Sequence, residues 1–223
     1  MSEVLGGTSV AAQFARRVQP VEQLAGNADQ IARACLAMAA RFHDGGKLIV
    51  FGNGAAATDA QHIAVEFVHP VLVGKPALPA ISLTADVATL TAIAGQEGFT
   101  AVFAHQLRRL ADPTDIALGI SVDGQCGNVR RGLEAAGGLG LLTVALAGGD
   151  GGAIAAADGI DHLLLSPATE PQVVKEVHVT TYHLLWELVH VFLAHPGVLA
   201  DPRVREPALA LARTAGGSPG GQP

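Results

Sequence analysis

The stretch that decides the fold of this chain is Lys47-Leu-Ile-Val-Phe-Gly-Asn-Gly-Ala-Ala-Ala-Thr-Asp-Ala-Gln-His-Ile-Ala-Val-Glu66. A short apolar run breaks at Gly52-Asn-Gly54 and continues with helical periodicity, which predicts a strand, a tight loop and a helix. Glycine at positions 52 and 54 permits positive φ and close approach to a ligand, and the following helix directs free N–H groups toward the same space. The segment therefore predicts a ligand-binding loop after a buried strand.

His62 and Glu66 stand one turn apart on the predicted helix. Residues at i and i+4 share a helix face, so the imidazole and the carboxylate project together toward whatever the loop holds. Taken alone, such a pair is typical of a solvated helix face. Next to the glycine loop, it outlines a site.

Apolar runs alternate with helical stretches along the rest of the chain. The predicted strands are 47–51, 78–83, 115–120, 141–147 and 162–165. This pattern predicts an α/β fold, a doubly wound, Rossmann-like sheet of the flavodoxin type with five parallel strands and helices on both faces. In such sheets the ligand crevice lies beyond the carboxyl ends of the strands, where the loops at 52–56 and 121–127 fall.

The two ends of the chain have different characters. Residues 9–43 predict two helices joined near Pro20, and a long helix is predicted from about Thr169 to about Ala194. We expect a single domain over residues 1–200. Residues 201–223 are rich in proline, alanine and glycine, and we expect a disordered tail because Gly216 to Pro223 can bury little apolar surface.

The composition of the chain limits the kinds of molecule that we expect it to bind. The formal net charge is −6 and no lysine or arginine cluster occurs, so we expect neither nucleic acid nor a membrane surface as a partner. Cys35 and Cys126 offer no disulfide framework, and the start of the chain has no targeting pattern. We expect a cytoplasmic protein with a small soluble ligand or a protein partner.

Further motifs follow the first one in order. They are Leu78-Pro-Ala-Ile-Ser-Leu-Thr-Ala-Asp86, Leu90-Thr-Ala-Ile93, Asp115-Ile-Ala-Leu-Gly-Ile-Ser121, Asn128-Val129, Leu142-Thr-Val-Ala-Leu146, Glu176-Val-His178 and His183. Together with Gly52-Asn-Gly54 and Gln61-His-Ile-Ala-Val-Glu66, they resemble the sugar isomerase (SIS) family, in particular its sedoheptulose 7-phosphate (phosphoheptose) isomerase branch. The resemblance runs over roughly residues 10 to 195.

The resemblance implies an activity and a set of site residues. Members of this branch convert a ketose phosphate to an aldose phosphate, and Glu66 and His183 match their acid/base pair. Such proteins are tetramers with sites formed between subunits, which implies a homotetramer here. The positions that match the family's substrate-binding residues, or lie among them, are Gly52, Asn53, Gly54, Ser121, Asp123, Gly124 and Lys175.

The resemblance also implies a zinc ion, held by His62, Glu66, His183 and a glutamine. Lys175 stands at the glutamine position, and a protonated lysine is no metal ligand, so we expect zinc to bind poorly or not at all. We expect the Lys175 ammonium to take over the electrostatic role of the metal by pairing with Glu66. The alternative is that Lys175 points to solvent.

The phosphate loop departs most from the family pattern. It reads Ser121-Val-Asp-Gly-Gln-Cys126 and keeps one of the family's four hydroxyls, while Asp123 adds a negative charge. Two like unit charges about 4 Å apart repel by roughly 4 kcal/mol at an effective dielectric near 20, so an unpaired Asp123 opposes phosphate binding. In the alternative, Asp123 turns away and caps the following helix, which leaves backbone N–H groups to hold the phosphate.

Two functions from different classes remain open at this point. The first is an isomerase that acts by acid/base proton transfer on a sugar with altered or no phosphate. The second is a non-catalytic SIS module that binds a sugar or a partner protein, either alone or as a diverged subunit of an isomerase assembly. Retention of Glu66 and His183 favours the first, and loss of loop hydroxyls favours the second.

Overall fold

The computed structural model describes residues 9–201 as a parallel sheet between two layers of helices. The strands are β1 (Leu48–Gly52), β2 (Ala80–Ser82), β3 (Ile116–Ser121), β4 (Leu142–Gly148) and β5 (His162–Ser166). The helices are α1 (Val10–Ala25), α2 (Ala28–His43), α3 (Ala55–Val68), α4 (Val87–Glu97), α5 (Val102–Leu110), α6 (Gly127–Gly138), α7 (Gly152–Ala155), α8 (Pro171–Leu193) and α9 (Pro196–Ala200). A 3-10 turn at Phe99–Ala101 precedes α5.

The strand order is β2-β1-β3-β4-β5, and every neighbouring pair is parallel. This is the flavodoxin-type order, so the predicted doubly wound α/β fold is confirmed. The direction of winding reverses between β1 and β3, and the ligand crevice of such sheets lies beyond the carboxyl ends of the strands at that reversal. The loops that follow β1 and β3 therefore frame the expected site.

Successive residues of each strand pack into different layers, because side chains alternate across a sheet. Val50 and Leu118 belong to the core under α2, α3 and α8, whereas Ile49 and Ala117 belong to the core under α5 and α6. Both faces of β1 and β3 are thus fully buried, which explains why these strands are apolar runs rather than alternating ones. The site helices α3 and α8 share one layer.

The prediction that the first two helices join near Pro20 is wrong. Pro20 lies inside α1 and is buried, and the chain turns instead after Ala25, where the Gly26 N–H donates to the Gln23 carbonyl oxygen. Proline removes one helical hydrogen bond, but burial of its apolar ring offsets the loss here. The helix ends instead at its C-cap residue Gly26, since glycine is a poor helix former, and Asn27 is the N-cap residue of α2.

Two further expectations concern the C-terminal tail and the membrane. The predicted disordered tail, 201–223, lies outside the described residues except for Asp201. Within residues 9–201, none of the helices has both the length and the apolar character that crossing a bilayer requires.

Candidate active site

The loop after β1 uses its two glycines for different purposes. Gly54 has φ of +56° and is the N-cap residue of α3, immediately before the helix that the sequence predicts. Gly52 does not have positive φ, so that part of the prediction is wrong. A Cβ at position 52 would lie 2.8 Å from the Ala56 Cβ and 2.9 Å from the Ile120 carbonyl oxygen, so glycine there lets α3 approach the sheet closely. Gly52 therefore sets the position of the helix that carries His62 and Glu66.

Asn53 and Asn128 connect the two loops at the reversal of the sheet. Asn53 Nδ2 donates to Asn128 Oδ1 at 2.7 Å, and Asn128 Nδ2 donates back to Asn53 Oδ1 at 2.9 Å. Asn128 Oδ1 also accepts from the Val129 N–H at 3.0 Å. The side chain of Asn53, predicted to bind substrate, is thus engaged by the protein itself and fixes the distance between the two loops.

Asp123 turns its carboxylate back into its own loop. Its Oδ1 accepts from the Gln125 N–H at 2.9 Å and from the Ser121 hydroxyl at 3.3 Å. The carboxylate is therefore not unpaired, and it does not cap α6, whose N-cap residue Cys126 makes no side-chain capping bond. Asp123 is thus neither unpaired nor a cap of α6, because a turn inside the loop offers it a nearer N–H than the helix does, and its effect on phosphate binding stays a prediction. The side chain remains exposed, and it uses two donors that an anion would need.

Gly124 holds this loop against a neighbouring one. Its φ is +68°, and a Cβ there would clash with the Gly151 carbonyl group. Its own carbonyl oxygen accepts from the Ile154 N–H at 3.0 Å. Gly124 therefore serves loop packing, and its contact with a substrate stays a prediction.

The structure brings the predicted acid/base residues together between α3 and α8. Glu66 Oε1 lies 3.1 Å from His62 Nε2 and 3.4 Å from His183 Nε2. The Glu66 side chain is 14% exposed, whereas the two imidazoles are 46% and 45% exposed. A largely enclosed carboxylate thus stands between two imidazoles that reach solvent. We call His62, Glu66 and His183 the His-Glu-His cluster.

Two aromatic residues of α8, Tyr182 and Trp186, support this cluster. Tyr182 Oη lies 3.2 Å from His62 Nδ1, and Trp186 Nε1 donates to the Glu66 carbonyl oxygen at 3.0 Å. Burial raises the pKa of Tyr182, and the charges of Asp59 and Glu66 add to the effect. The sequence alone predicts only core or subunit contacts for Tyr182 and Trp186. Their positions one residue before and three after His183 were the signal available.

Lys175 does not pair with Glu66, and it does not point to solvent. Its Nζ lies 2.6 Å and 2.7 Å from the two carboxylate oxygens of Asp59, and 3.2 Å from the Ala55 carbonyl oxygen. Asp59 is buried on α3, so its carboxylate attracts the nearest cation. An ammonium has three donors, and these contacts use all three. Lys175, predicted to bind substrate, has no N–H left for a ligand in this arrangement.

Sequence reasoning missed Asp59 as a member of the site. It precedes His62 by three residues, a spacing that places both side chains on one side of α3. The spacing was visible in the sequence, but its partner is 116 residues away. Only the packing of α8 on α3 shows that the two charges meet.

The His-Glu-His cluster fits a zinc ion. Each of its three residues offers one ligand atom, and these atoms lie within 4.8 Å of one another. Two imidazoles and one carboxylate form a donor set used by catalytic zinc, with the fourth position left for water or substrate. Lys175 is engaged by Asp59, so the expected ion pair with Glu66 does not stand in the way.

Known relatives of this chain belong to one family. The profile of the SIS domain matches residues 12–148, which is more than half of the chain. The chain belongs to the SIS domain family. Its sequence is 42% identical over 167 residues to the phosphoheptose isomerase of Desulfovibrio desulfuricans, and the match covers 74% of this chain and 78% of that relative.

Solved structures of the same kind agree with the fold of this SIS domain. The phosphoheptose isomerase of Francisella tularensis aligns with a TM-score of 0.77, and that of Neisseria gonorrhoeae with 0.75. Each is 33% identical and covers 81% of this chain, while the alignment spans 96% of the solved chain. The predicted membership in the SIS family, close to its phosphoheptose isomerases, is confirmed.

Proposed function

We propose that this SIS domain protein is an aldose–ketose isomerase that acts on a sugar phosphate by acid/base proton transfer. The observation that carries the proposal is the Glu66 carboxylate, held between the Nε2 atoms of His62 and His183. The relatives at 42% identity are named phosphoheptose isomerase, which supports a seven-carbon sugar phosphate as the substrate class.

The reaction needs two kinds of proton transfer. When a ketose becomes an aldose, one proton leaves the hydroxymethyl carbon and another arrives on the former carbonyl carbon, while the two oxygens exchange a proton. We assign the carbon-bound proton to Glu66, because its carboxylate is largely enclosed and lies between the two imidazoles. We assign the proton transfer between the two sugar oxygens to His183, because imidazole gains and loses protons near neutral pH.

The His-Glu-His cluster would also hold a metal ion such as zinc, which when bound would act as a Lewis acid that polarises the sugar carbonyl. Under the proposal, His62 orients Glu66 in the metal-free form, through the contact between its Nε2 and Glu66 Oε1.

The charged end of the sugar would lie some distance from the reacting carbons. Helix α3 begins at Ala55, and Glu66 lies roughly 16 Å further along its axis at 1.5 Å per residue. We propose that the phosphate binds near the loops at Gly54 and at Ser121 to Gly124, where the N-termini of α3 and α6 begin. The Lys175–Asp59 ion pair lies between these loops and the His-Glu-His cluster.

A homo-oligomer, which we propose to be a tetramer, would cover an apolar face of α1. Val10, Phe14, Val18 and Val21 follow helical spacing and are exposed, with Phe14 at 69%. A continuous apolar face of this kind marks an interaction surface. Analytical ultracentrifugation of the wild-type chain and of Phe14→Ser tests the tetramer. We expect the variant to dissociate at a higher protein concentration than the wild type does.

We also propose a cytoplasmic location, on the basis of composition.

The test of function is an isomerisation assay with sedoheptulose 7-phosphate, in which NMR follows new aldose phosphate. We expect turnover by the wild-type chain and loss of turnover in Glu66→Gln. Unphosphorylated sedoheptulose, assayed in parallel, tests the need for phosphate. Turnover of that sugar alone would contradict the phosphate part of the proposal.

The second candidate, a non-catalytic SIS module, is favoured by one observation. Asp123 places an exposed carboxylate in the loop that would receive phosphate. A folded oligomer that binds the sugar phosphate, as measured by calorimetry, but does not convert it would establish this candidate and overturn the first.

A further inference from the structure

We propose that Tyr182 is a positioning residue, whose hydroxyl holds the His62 ring so that Nε2 faces Glu66. The inference deepens the proposed function and rests on it for its catalytic meaning. It concerns the hydrogen bond between Tyr182 Oη and His62 Nδ1, at 3.2 Å.

The tautomer of His62 determines the direction of this hydrogen bond. His62 Nε2 lies 3.1 Å from Glu66 Oε1, and an ionised carboxylate can only accept, so Nε2 must carry a proton. A neutral imidazole has one proton, which leaves Nδ1 as an acceptor in need of a donor. The Tyr182 hydroxyl, protonated at neutral pH, is positioned to donate to it.

Ring packing gives Tyr182 a fixed position from which to act. The ring centroids of His62, Tyr182 and His183 are 4.8 to 5.6 Å apart, and each pair meets edge to face. Tyr182 is buried, whereas the two imidazoles are about half exposed. A rigid phenol thus supports two rings that would otherwise rotate in solvent.

The same hydroxyl suits a metal-bound form of the His-Glu-His cluster. If Nε2 of His62 were a metal ligand, Nδ1 would carry the proton and would donate it to an outer partner. A phenol oxygen accepts as well as donates, so Tyr182 can serve as that partner by rotating its O–H bond. Tyr182 would then support His62 in both forms.

Tyr182→Phe is the direct test, because it removes the hydroxyl and keeps the ring. The matched control is Thr181→Val, which removes a neighbouring buried hydroxyl that donates to the Val177 carbonyl oxygen. In 15N-histidine NMR spectra of the metal-free wild type, we expect His62 as the Nε2–H tautomer with a hydrogen-bonded Nδ1. In Tyr182→Phe, the Nδ1 resonance should move toward that of an unbonded nitrogen, whereas Thr181→Val should leave it unchanged. An unchanged His62 spectrum in Tyr182→Phe would overturn the proposal.

A second measurement does not depend on the folding of Tyr182→Phe. Tyr182 is the only tyrosine of the chain, so incorporated 3-fluorotyrosine gives one 19F signal from this site. We expect that signal to shift in His62→Asn and to stay in place in Thr181→Val. No shift in His62→Asn would contradict the hydrogen bond.

Kinetics and metal binding separate this inference from the proposed function. We expect Tyr182→Phe to lower kcat about tenfold with KM unchanged, because a misplaced His62 affects proton transfer rather than sugar binding. We expect zinc affinity, measured by chelator competition, to fall about 10- to 100-fold. An inactive wild-type chain would remove the proposed function, while the NMR result would still decide the role of Tyr182.

Discussion

Lys175 forms its ion pair with Asp59, one turn before His62 on α3, and not with Glu66. The two Nζ–oxygen distances are 2.6 and 2.7 Å, and the Asp59 side chain is only 8% exposed. The pair connects α8 to α3 about two turns before the point where His183 meets Glu66. It therefore fixes the helix spacing on which the His-Glu-His cluster depends.

Breaking this pair from one side should destabilise the protein. We expect Lys175→Met to lower the free energy of unfolding by about 3 kcal/mol, because it leaves the Asp59 carboxylate buried without a partner. Urea unfolding, followed by the fluorescence of the single tryptophan, measures the change. Asp59→Asn combined with Lys175→Met should recover most of the loss, and a double variant as unstable as Lys175→Met would contradict the pairing.

The charge of Asp123 should weaken phosphate binding modestly. The side chain is exposed, so water screens it, and removing one charge about 4 Å from a phosphate is worth about 1 kcal/mol at a dielectric near 80. We expect Asp123→Asn to bind sugar phosphate about fivefold more tightly, with a smaller gain at high salt. Asp112→Asn, a carboxylate before β3 rather than after it, is the control. Equal gains in calorimetric titrations of the two variants would point to net charge instead of position.

Position 52 should not tolerate a methyl group. In Gly52→Ala the new Cβ would lie within 3 Å of the Ala56 side chain and the Ile120 backbone, so α3 must shift away from the sheet. We expect a loss of about 2 kcal/mol in the free energy of unfolding. Gly95→Ala in α4 is the opposite case, because nothing lies within 4 Å of its Cβ. The free energy of unfolding of Gly95→Ala should rise by about 0.5 to 1 kcal/mol. The melting temperatures of the two variants should therefore shift in opposite directions.

His162 should make the protein less stable in mild acid. Burial lowers the pKa of His162 from 6.5 to about 4, and the charge of Arg33 adds to the effect. Between these values the unfolded chain binds a proton that the folded chain does not. The contribution of His162 to stability is therefore complete above pH 6.5 and falls toward pH 4, by up to about 1.4 kcal/mol per pH unit.

Replacing His162 tests its contribution to the pH dependence of stability. We expect His162→Gln to lose less stability than the wild type between pH 7.5 and pH 5, as measured by urea unfolding. The exposed His43, replaced in His43→Gln, should leave the wild-type pH dependence unchanged. Equal pH dependence in all three proteins would show that His162 is not the group responsible.

The sheet could be predicted from the sequence because each strand contains an apolar run, and β1, β3 and β4 are buried along their whole length. β1 and β3 are buried on both faces, and this produces runs such as Leu48-Ile-Val-Phe51 that few other structures allow. The pairing of His62 with Glu66 was predictable for a similar reason, since both lie on one helix at fixed spacing.

Contacts between distant segments could not be predicted in the same way. The pairing of Lys175 with Asp59 and the support of His62 by Tyr182 depend on how α8 lies on α3, and no local pattern encodes that angle. Asp123 was misjudged because the competition between a loop N–H and a helix N-terminus depends on the loop geometry. Resemblance to a family located these positions but not their partners.

The measurement that tests the central claim most directly is hydrogen exchange at carbon in D2O. Sedoheptulose 7-phosphate is incubated with the wild type, with Glu66→Gln and with Glu187→Gln, an exposed carboxylate one turn beyond His183. The account predicts that the wild type and Glu187→Gln place deuterium on the reacting carbons, and that Glu66→Gln does so about 10²- to 10⁴-fold more slowly. Exchange that persists in Glu66→Gln, or no exchange by the wild type, would contradict it.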